Sequence, residues 1–240
     1  AEIARWKDIP SKPGLGFTDE MSASLYSRVM AAKSQFDLVD TDVSGWDMAV
    51  PYWLFMWDLE RRRVLSRESE DGGWYRVARS RMECLSQSLL VTSSGKVLSQ
   101  TEKGIQKSGT FITGSTNSAM RVMLAYSLGS DFIIAMGDDS VEHRFDGMLE
   151  AYKKAGIPLK QANLVEDSFE FCSHVFEVDS GKVRARPLNI EKATVNLLLF
   201  KPIPQMDRSS RFAAFAEELK HTGRVDEVKQ LLDEVDYFAA

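Results

Sequence analysis

The chain is poor in the residues that staple small folds and hold structural metals: two cysteines and three histidines in 240 residues. Cys84 and Cys172 stand far apart with no CxxC spacing, which argues against a disulfide framework and against structural zinc, and fits a reducing compartment. Long apolar runs are also missing. None approaches the roughly 20 residues that span a bilayer, and Ala1 to Pro10 lacks the apolar core of a signal peptide. A soluble, intracellular chain is expected. No disorder-type bias appears, and 44% hydrophobic residues suffice for one compact domain or two closely packed lobes. Excess positive charge is absent as well: the net charge is -5, whereas a nucleic-acid binder advertises itself by a basic patch.

Such a patch hides inside the acidic total. Arg61, Arg62, Arg63, Arg67, Arg76, Arg79 and Arg81 are interleaved with Trp74 and Tyr75 around Gly72-Gly73. Arginine with aromatics suits backbone contact and stacking on an RNA strand, and a solvated helix face balanced by Glu60, Glu68, Glu70 and Asp71 fits equally well. Ahead of it, Ile9 to Gly16 is a Pro/Gly loop, and Lys7, just before it, and Lys12, within it, read as solvated lysines or phosphate contacts. Thr18 or Asp19 caps a helix predicted over Glu20 to Lys33. Pro51 opens a largely buried helix through Tyr52 to Arg63, and Leu89 to Leu98 reads as a hairpin turning at Ser94-Gly95.

The chemistry concentrates in three blocks. In Asp37 to Asp47, DLVDTDVSGWD, a short strand delivers Asp42 and Asp47 on either side of Gly45. In Lys107 to Leu128, a flexible opening at Ser108-Gly109 leads to Thr113, Ser115, Thr116 and Asn117 at the start of a helix over Ala119 to Leu128, equally an anion site or an ordinary cap. In FIIAMGDDSV, Phe132 to Val141, apolar strand residues flank Gly137-Asp138-Asp139, a β-hairpin with an acidic tip. Two adjacent carboxylates between buried strands repel, and a divalent cation is the simplest compensation. Further on, a helix is expected over Phe145 to Ala155, a strand starts at Pro158-Leu159-Lys160, and Phe169 to Val178 alternates as one strand. Its return carries Lys182, Arg184 and Arg186. From Asn189 the pattern is helical, broken by Pro202 and Pro204.

DVSGWD, SGTFITGSTN and GDD, in this order, resemble the first three palm motifs of RNA-dependent RNA polymerases of positive-strand RNA viruses. The second block fits SGxxxTxxxN at every fixed position. Lys160 is similar to the fourth motif of that family and FCSHVF at 171 to 176 to the fifth, and SKPGLG and FCS bring the chain nearest to sobemovirus and polerovirus polymerases. The resemblance implies an α+β fold: a right-hand polymerase palm, an antiparallel sheet with flanking helices, with partial fingers and a small helical thumb. The expected division is an N-terminal segment over 1–36, palm over 37–60 and 106–186, a fingers insertion over 61–105, and thumb over 187–240.

By the same resemblance, the reaction is template-directed RNA synthesis with two Mg2+ or Mn2+ ions. Asp42 and Asp138 are the principal metal ligands, Asp139 an auxiliary one, and Lys160 the acid for the leaving pyrophosphate. Asp47 and Asn117 read the ribose 2′-hydroxyl, helped by Ser108, Gly109 and Thr113, while Arg184 and Arg186 contact phosphates of the primer strand. The implied partners are RNA template and primer, ribonucleoside triphosphates and other viral replication proteins, in the host-cell cytoplasm and at membrane-associated replication complexes. Only 41 residues precede Asp42, fewer than the family's fingers region, so a fragment or an unusually small polymerase is expected. The alternatives are an inactive palm fragment or RNA-binding scaffold and, less favoured, a reverse transcriptase, whose hairpin reads YxDD where this chain has Met136-Gly137-Asp138-Asp139.

Overall fold

A computed structural model describes residues 3–199 and 208–239; the expected break at Pro202 and Pro204 lies outside them. The fold is α+β with antiparallel sheets, and the chain divides into two units, one formed by residues 1–15 and 32–164, the other by 16–31 and 165–240. Among the described residues, no helix is long and apolar enough to cross a membrane.

The first unit is built on a sheet of four strands in the order β4-β5-β1-β6: β1 Leu38–Val43, β4 Ile133–Met136, β5 Asp139–His143 and β6 Leu159–Leu164. Period-two alternation sorts β1 into two faces. Val39, Thr41 and Val43 point one way, Asp40 and Asp42 the other. The Val39/Val43 face packs under three helices, α3 (Tyr52–Ser66), α5 (Thr113–Leu128) and α6 (Met148–Lys154), through Leu54, Phe55, Met120, Leu124 and Tyr152. Residues Pro10 to Lys12 add backbone hydrogen bonds to β4, with the Lys12 N–H donating to the Ala135 carbonyl at 2.7 Å. Lys12 is neither solvated nor a phosphate contact, since its buried ammonium donates to the Trp6 and Ile9 carbonyls.

Two further helices of this unit are α2 (Trp46–Ala49) and α4 (Gly73–Ser86), with the ribbon β2 (Leu89–Val91) and β3 (Val97–Ser99), whose residues are all exposed. Helix α3 buries one face only. Leu54, Phe55 and Leu59 are inside, while Trp53 and Trp57 are exposed and stack edge-on at 4.7 Å, so the expectation of a largely buried helix holds for half its circumference. Three arginines of the basic region are engaged within the protein: Arg61 and Arg62 both pair with the fully buried Asp58, and Arg63 pairs with Glu60. Arg62 also donates to Ser115 and Thr116 at 3.1 and 3.2 Å, tying α3 to α5. There Arg62 joins two helices, while Arg61 and Arg63 brace their own.

The second unit contains all but the last two residues of α1 (Asp19–Lys33), a three-stranded sheet of β7 (Phe169–Phe171), β8 (His174–Asp179) and β9 (Lys182–Pro187), and helices α7 (Ile190–Leu198), α8 (Arg208–Leu219) and α9 (Val225–Ala239). The single strand expected over Phe169 to Val178 is a hairpin. Cys172 and Ser173 form its two-residue turn with φ of 51° and 60°, the sign that type I′ turns require. The buried residues are Phe169 and Phe171 before the turn and His174 and Phe176 after it, so the inward phase slips by one at Cys172-Ser173, as two strands demand. Phe169 and Phe176, opposite each other in register, stack at 5.1 Å with nearly parallel rings.

Candidate active site

Strand β1 brings Asp42 to the sheet's end, where Gly45, at a φ of 60°, turns the chain into α2 with Trp46 buried and Asp47 in the first turn. The acidic hairpin arrives beside it. Asp138 occupies a two-residue loop behind Gly137, whose φ of 69° suits glycine, and Asp139 is the first residue of β5 rather than part of the turn. β1 and β5 run antiparallel with Thr41 opposite Ser140, and one further step of that register sets Asp42 across from Asp139 on the sheet face away from α5.

Helix α5 begins at Thr113, six residues earlier than the composition indicated, so Ser115, Thr116 and Asn117 lie inside its first turns. The Thr113 hydroxyl donates to the Thr110 carbonyl at 2.9 Å. Ser108, in the loop ahead, donates to the Asp47 carboxylate, and Gly109 beside it takes a φ of 93°. Asp47, Ser108, Thr113, Asn117 and Asp138 together line an open cavity of about 470 Å³ at the end of β1. Asn117 is 6% exposed, and its Oδ1 is buried without a hydrogen-bond partner. An unmatched buried amide oxygen is costly, and here it borders a cavity roomy enough for a ligand to satisfy it.

The electrostatics centre on the carboxylates. Burial pushes Asp138 above the usual aspartate range, and repulsion from Asp42 and Asp47 adds to it. Asp139 is pushed up to about 6, by burial first and by Asp138 and Asp42 next. Lys160, on β6, donates to Asp42 at 3.0 Å. Among the described residues, no three His, Cys, Asp or Glu side chains form a ready cage for a metal. The donor set nevertheless fits a hard divalent cation: carboxylate oxygens converge from two strands, and the field at Asp138 and Asp139 penalises their ionisation, which a cation would relieve.

Arg184 and Arg186 lie on β9 in the second unit, and both are engaged. Arg186 pairs with Glu177 of β8, and Arg184 meets His221 Nδ1 at 2.8 Å. Sequence reasoning missed Ser118, whose hydroxyl donates to the Gly114 carbonyl at 2.6 Å and accepts from the Gly137 N–H at 2.8 Å, fastening the acidic turn to α5. It also missed Arg121, Glu142 and Tyr152, all buried beneath the sheet. For Arg121 the signal was a lone charge within the apolar run AMRVML; Glu142 and Tyr152 carried none of that kind.

The family described as viral RNA-directed RNA-polymerase matches residues 1–178. Protein P1-P2 of pea enation mosaic virus-1 is 38% identical over 82% of this chain, and the RNA-directed RNA polymerase of mushroom bacilliform virus is 36% identical over 84%. The chain spans 17% of the first relative's length and 50% of the second's. The crystal structure of the RNA-dependent RNA polymerase of a human picobirnavirus aligns over 97% of this chain and 47% of its own, with a TM-score of 0.71 at 12% identity, a likeness of fold. With a family match over residues 1–178 and relatives of this identity and coverage, the chain belongs to the viral RNA-directed RNA polymerase family.

Proposed function

We propose that this chain carries the nucleotide-addition site of an RNA-directed RNA polymerase, joining ribonucleoside triphosphates to an RNA 3′-hydroxyl as a template dictates. The observation that carries this reading is the unmatched Oδ1 of Asn117 in a cavity shared with Asp47 and Asp138. A ribose 2′-hydroxyl both donates and accepts, so it suits an amide beside a carboxylate. Asp47 is held by Ser108, which fixes the carboxylate's direction and leaves Asn117 as the partner still to be matched.

Asp42, Asp138 and Asp139 are the residues that would hold Mg2+ or Mn2+. Bound there, such ions supply charge stabilisation at the reacting phosphate and a more acidic 3′-hydroxyl. Lys160 keeps an ammonium 3.0 Å from Asp42, so it can carry a proton toward a leaving pyrophosphate. Arg184 and Arg186 contact RNA phosphates in this reading, and RNA, ribonucleotides and other viral replication proteins are the partners, in the host-cell cytoplasm.

The test is primer extension by the full-length chain with Asp138→Asn. Loss of one preorganised charge contact predicts a fall of at least about 100-fold, with the unfolding midpoint retained. A folded variant extending at the parental rate would refute the assignment, and a parent that prefers deoxynucleotides would point to a reverse transcriptase.

A further inference from the structure

Behind the strands that bear the carboxylates, on the helix-covered face of the sheet, five polar side chains form a closed network that touches no cavity of the nucleotide site. Arg121 of α5 and Glu142 of β5 are both without solvent exposure and form an ion pair. The guanidinium also donates to the Tyr152 hydroxyl at 2.5 Å and to Thr41 Oγ1 at 2.7 Å. Glu142 accepts from Thr41 at 2.8 Å through one carboxylate oxygen and from Tyr152 at 2.7 Å through the other. Thr41 and Ser140, opposite each other in register, share a hydrogen bond of 2.7 Å.

Stability does not explain such a cluster. A buried ion pair is often matched or bettered by apolar residues of similar volume, because desolvation offsets the attraction. Directional bonds do what apolar packing does less well: they define one register and one helix rotation. The positions of the members are informative on that point. Thr41 directly precedes Asp42 and Ser140 directly follows Asp139. Arg121 stands one helical turn after Asn117 and three residues after Ser118, whose hydroxyl holds the Gly137 amide. Each of these three members is therefore a neighbour, along a strand or up a helix, of a group that faces the site.

We propose that Arg121 is a positioning residue for nucleotide addition: through Glu142, Thr41 and Tyr152 it locks α5, the bearer of Asn117 and Ser118, to β1 and β5, the bearers of Asp42 and Asp139. This rests on the function proposed above. The network sets the distance between the groups that select the sugar and the carboxylates, without contacting either nucleotide or metal.

The decisive variant replaces the charged cluster by apolar residues of similar volume, Arg121→Met with Glu142→Leu and Tyr152→Phe, in the full-length chain. Three readouts are compared with the parent: the unfolding midpoint, direct Mn2+ binding followed by electron paramagnetic resonance, and the ribonucleotide-to-deoxynucleotide ratio of kcat/KM. Expected are a midpoint near the parental one, and losses of about 10-fold in both Mn2+ affinity and sugar ratio, the scale on which support of site ligands acts, with kcat falling more than KM rises. Arg121→Lys, which keeps the charge and loses the planar fork, should recover part of both. A folded triple variant with parental Mn2+ affinity and sugar ratio would overturn the proposal. Should the triple variant not fold, Thr41→Val decides by the same two readouts, and their retention likewise overturns it. A parent that shows no ribonucleotide preference instead sinks the function assigned to the site, while the Mn2+ comparison still judges the network.

Discussion

Asp139 makes the metal-free protein sensitive to pH in a direction that can be worked out. Its carboxyl is pushed from 3.8 up to about 6, chiefly by burial and then by Asp138 and Asp42. A pKa raised by folding means that the folded chain holds the proton more tightly than the unfolded one. That contribution to stability is whole below about pH 4 and is lost as pH rises through about 6. At about 1.4 kcal/mol per pKa unit, ionising Asp139 withdraws about 3 kcal/mol of stability by pH 7. For a chain of this length that is an unfolding midpoint lower by about 6–12 °C. Asp139→Asn keeps the side chain's shape and carries no charge to expel. The assay is thermal unfolding in a chelator at several pH values from 4.5 to 7.5. The parental midpoint should fall across that range, the variant's much less, the residue of slope coming from Asp138, which is raised as well. Adding Mg2+ at pH 7.5 should stabilise the parent more than the variant, because a cation that binds only the folded site recovers what the ionised carboxylate withdrew. Equal slopes for parent and Asp139→Asn between pH 5 and 7 would refute the reasoning.

The remaining expectations concern single contacts. Asn117→Ala should lower the preference for ribonucleotides over their 2′-deoxy analogues by about 10- to 100-fold, the scale of one hydroxyl contact in a site built for it, mainly through poorer ribonucleotide use; an unchanged ratio in steady-state extension would remove Asn117 from sugar selection. Ser118→Ala leaves the Gly137 N–H without its partner and should cost about 1–3 kcal/mol, measured by urea unfolding; a parental midpoint would show that the turn holds itself. Replacing Arg184 and Arg186 together by Ala should weaken RNA binding and flatten its salt dependence without sequence preference. An unchanged salt slope would mean that their pairings with His221 and Glu177 are their whole role.

The parts of the site that were readable in the sequence share one property: their local pattern and their destination coincide. Apolar residues on both sides of Gly137-Asp138 make a hairpin wherever the chain goes, and the structure has it. The strand through Asp42 needed only the alternation of Val39, Thr41 and Val43 against Asp40 and Asp42. What was misread depended on partners distant in sequence. Lys12 looked solvated because nothing nearby betrays that the segment pairs with β4, and the tryptophans of α3 looked buried because composition does not say which face a neighbour covers. That α5 starts at Thr113, ahead of Ala119, has a related reason. Serine, threonine and asparagine are weak helix formers in isolation, yet here Arg62 satisfies Ser115 and Thr116 from another helix, while Ser118 bonds back to Gly114 and receives the Gly137 amide. The polar run that reads as a helix cap or anion site is therefore helical itself, because tertiary contacts use its side chains. That same placement gives Asn117 its meaning: in a loop its amide would find water or backbone, whereas inside the helix, 6% exposed, its oxygen is held toward a cavity with its bond still to be made.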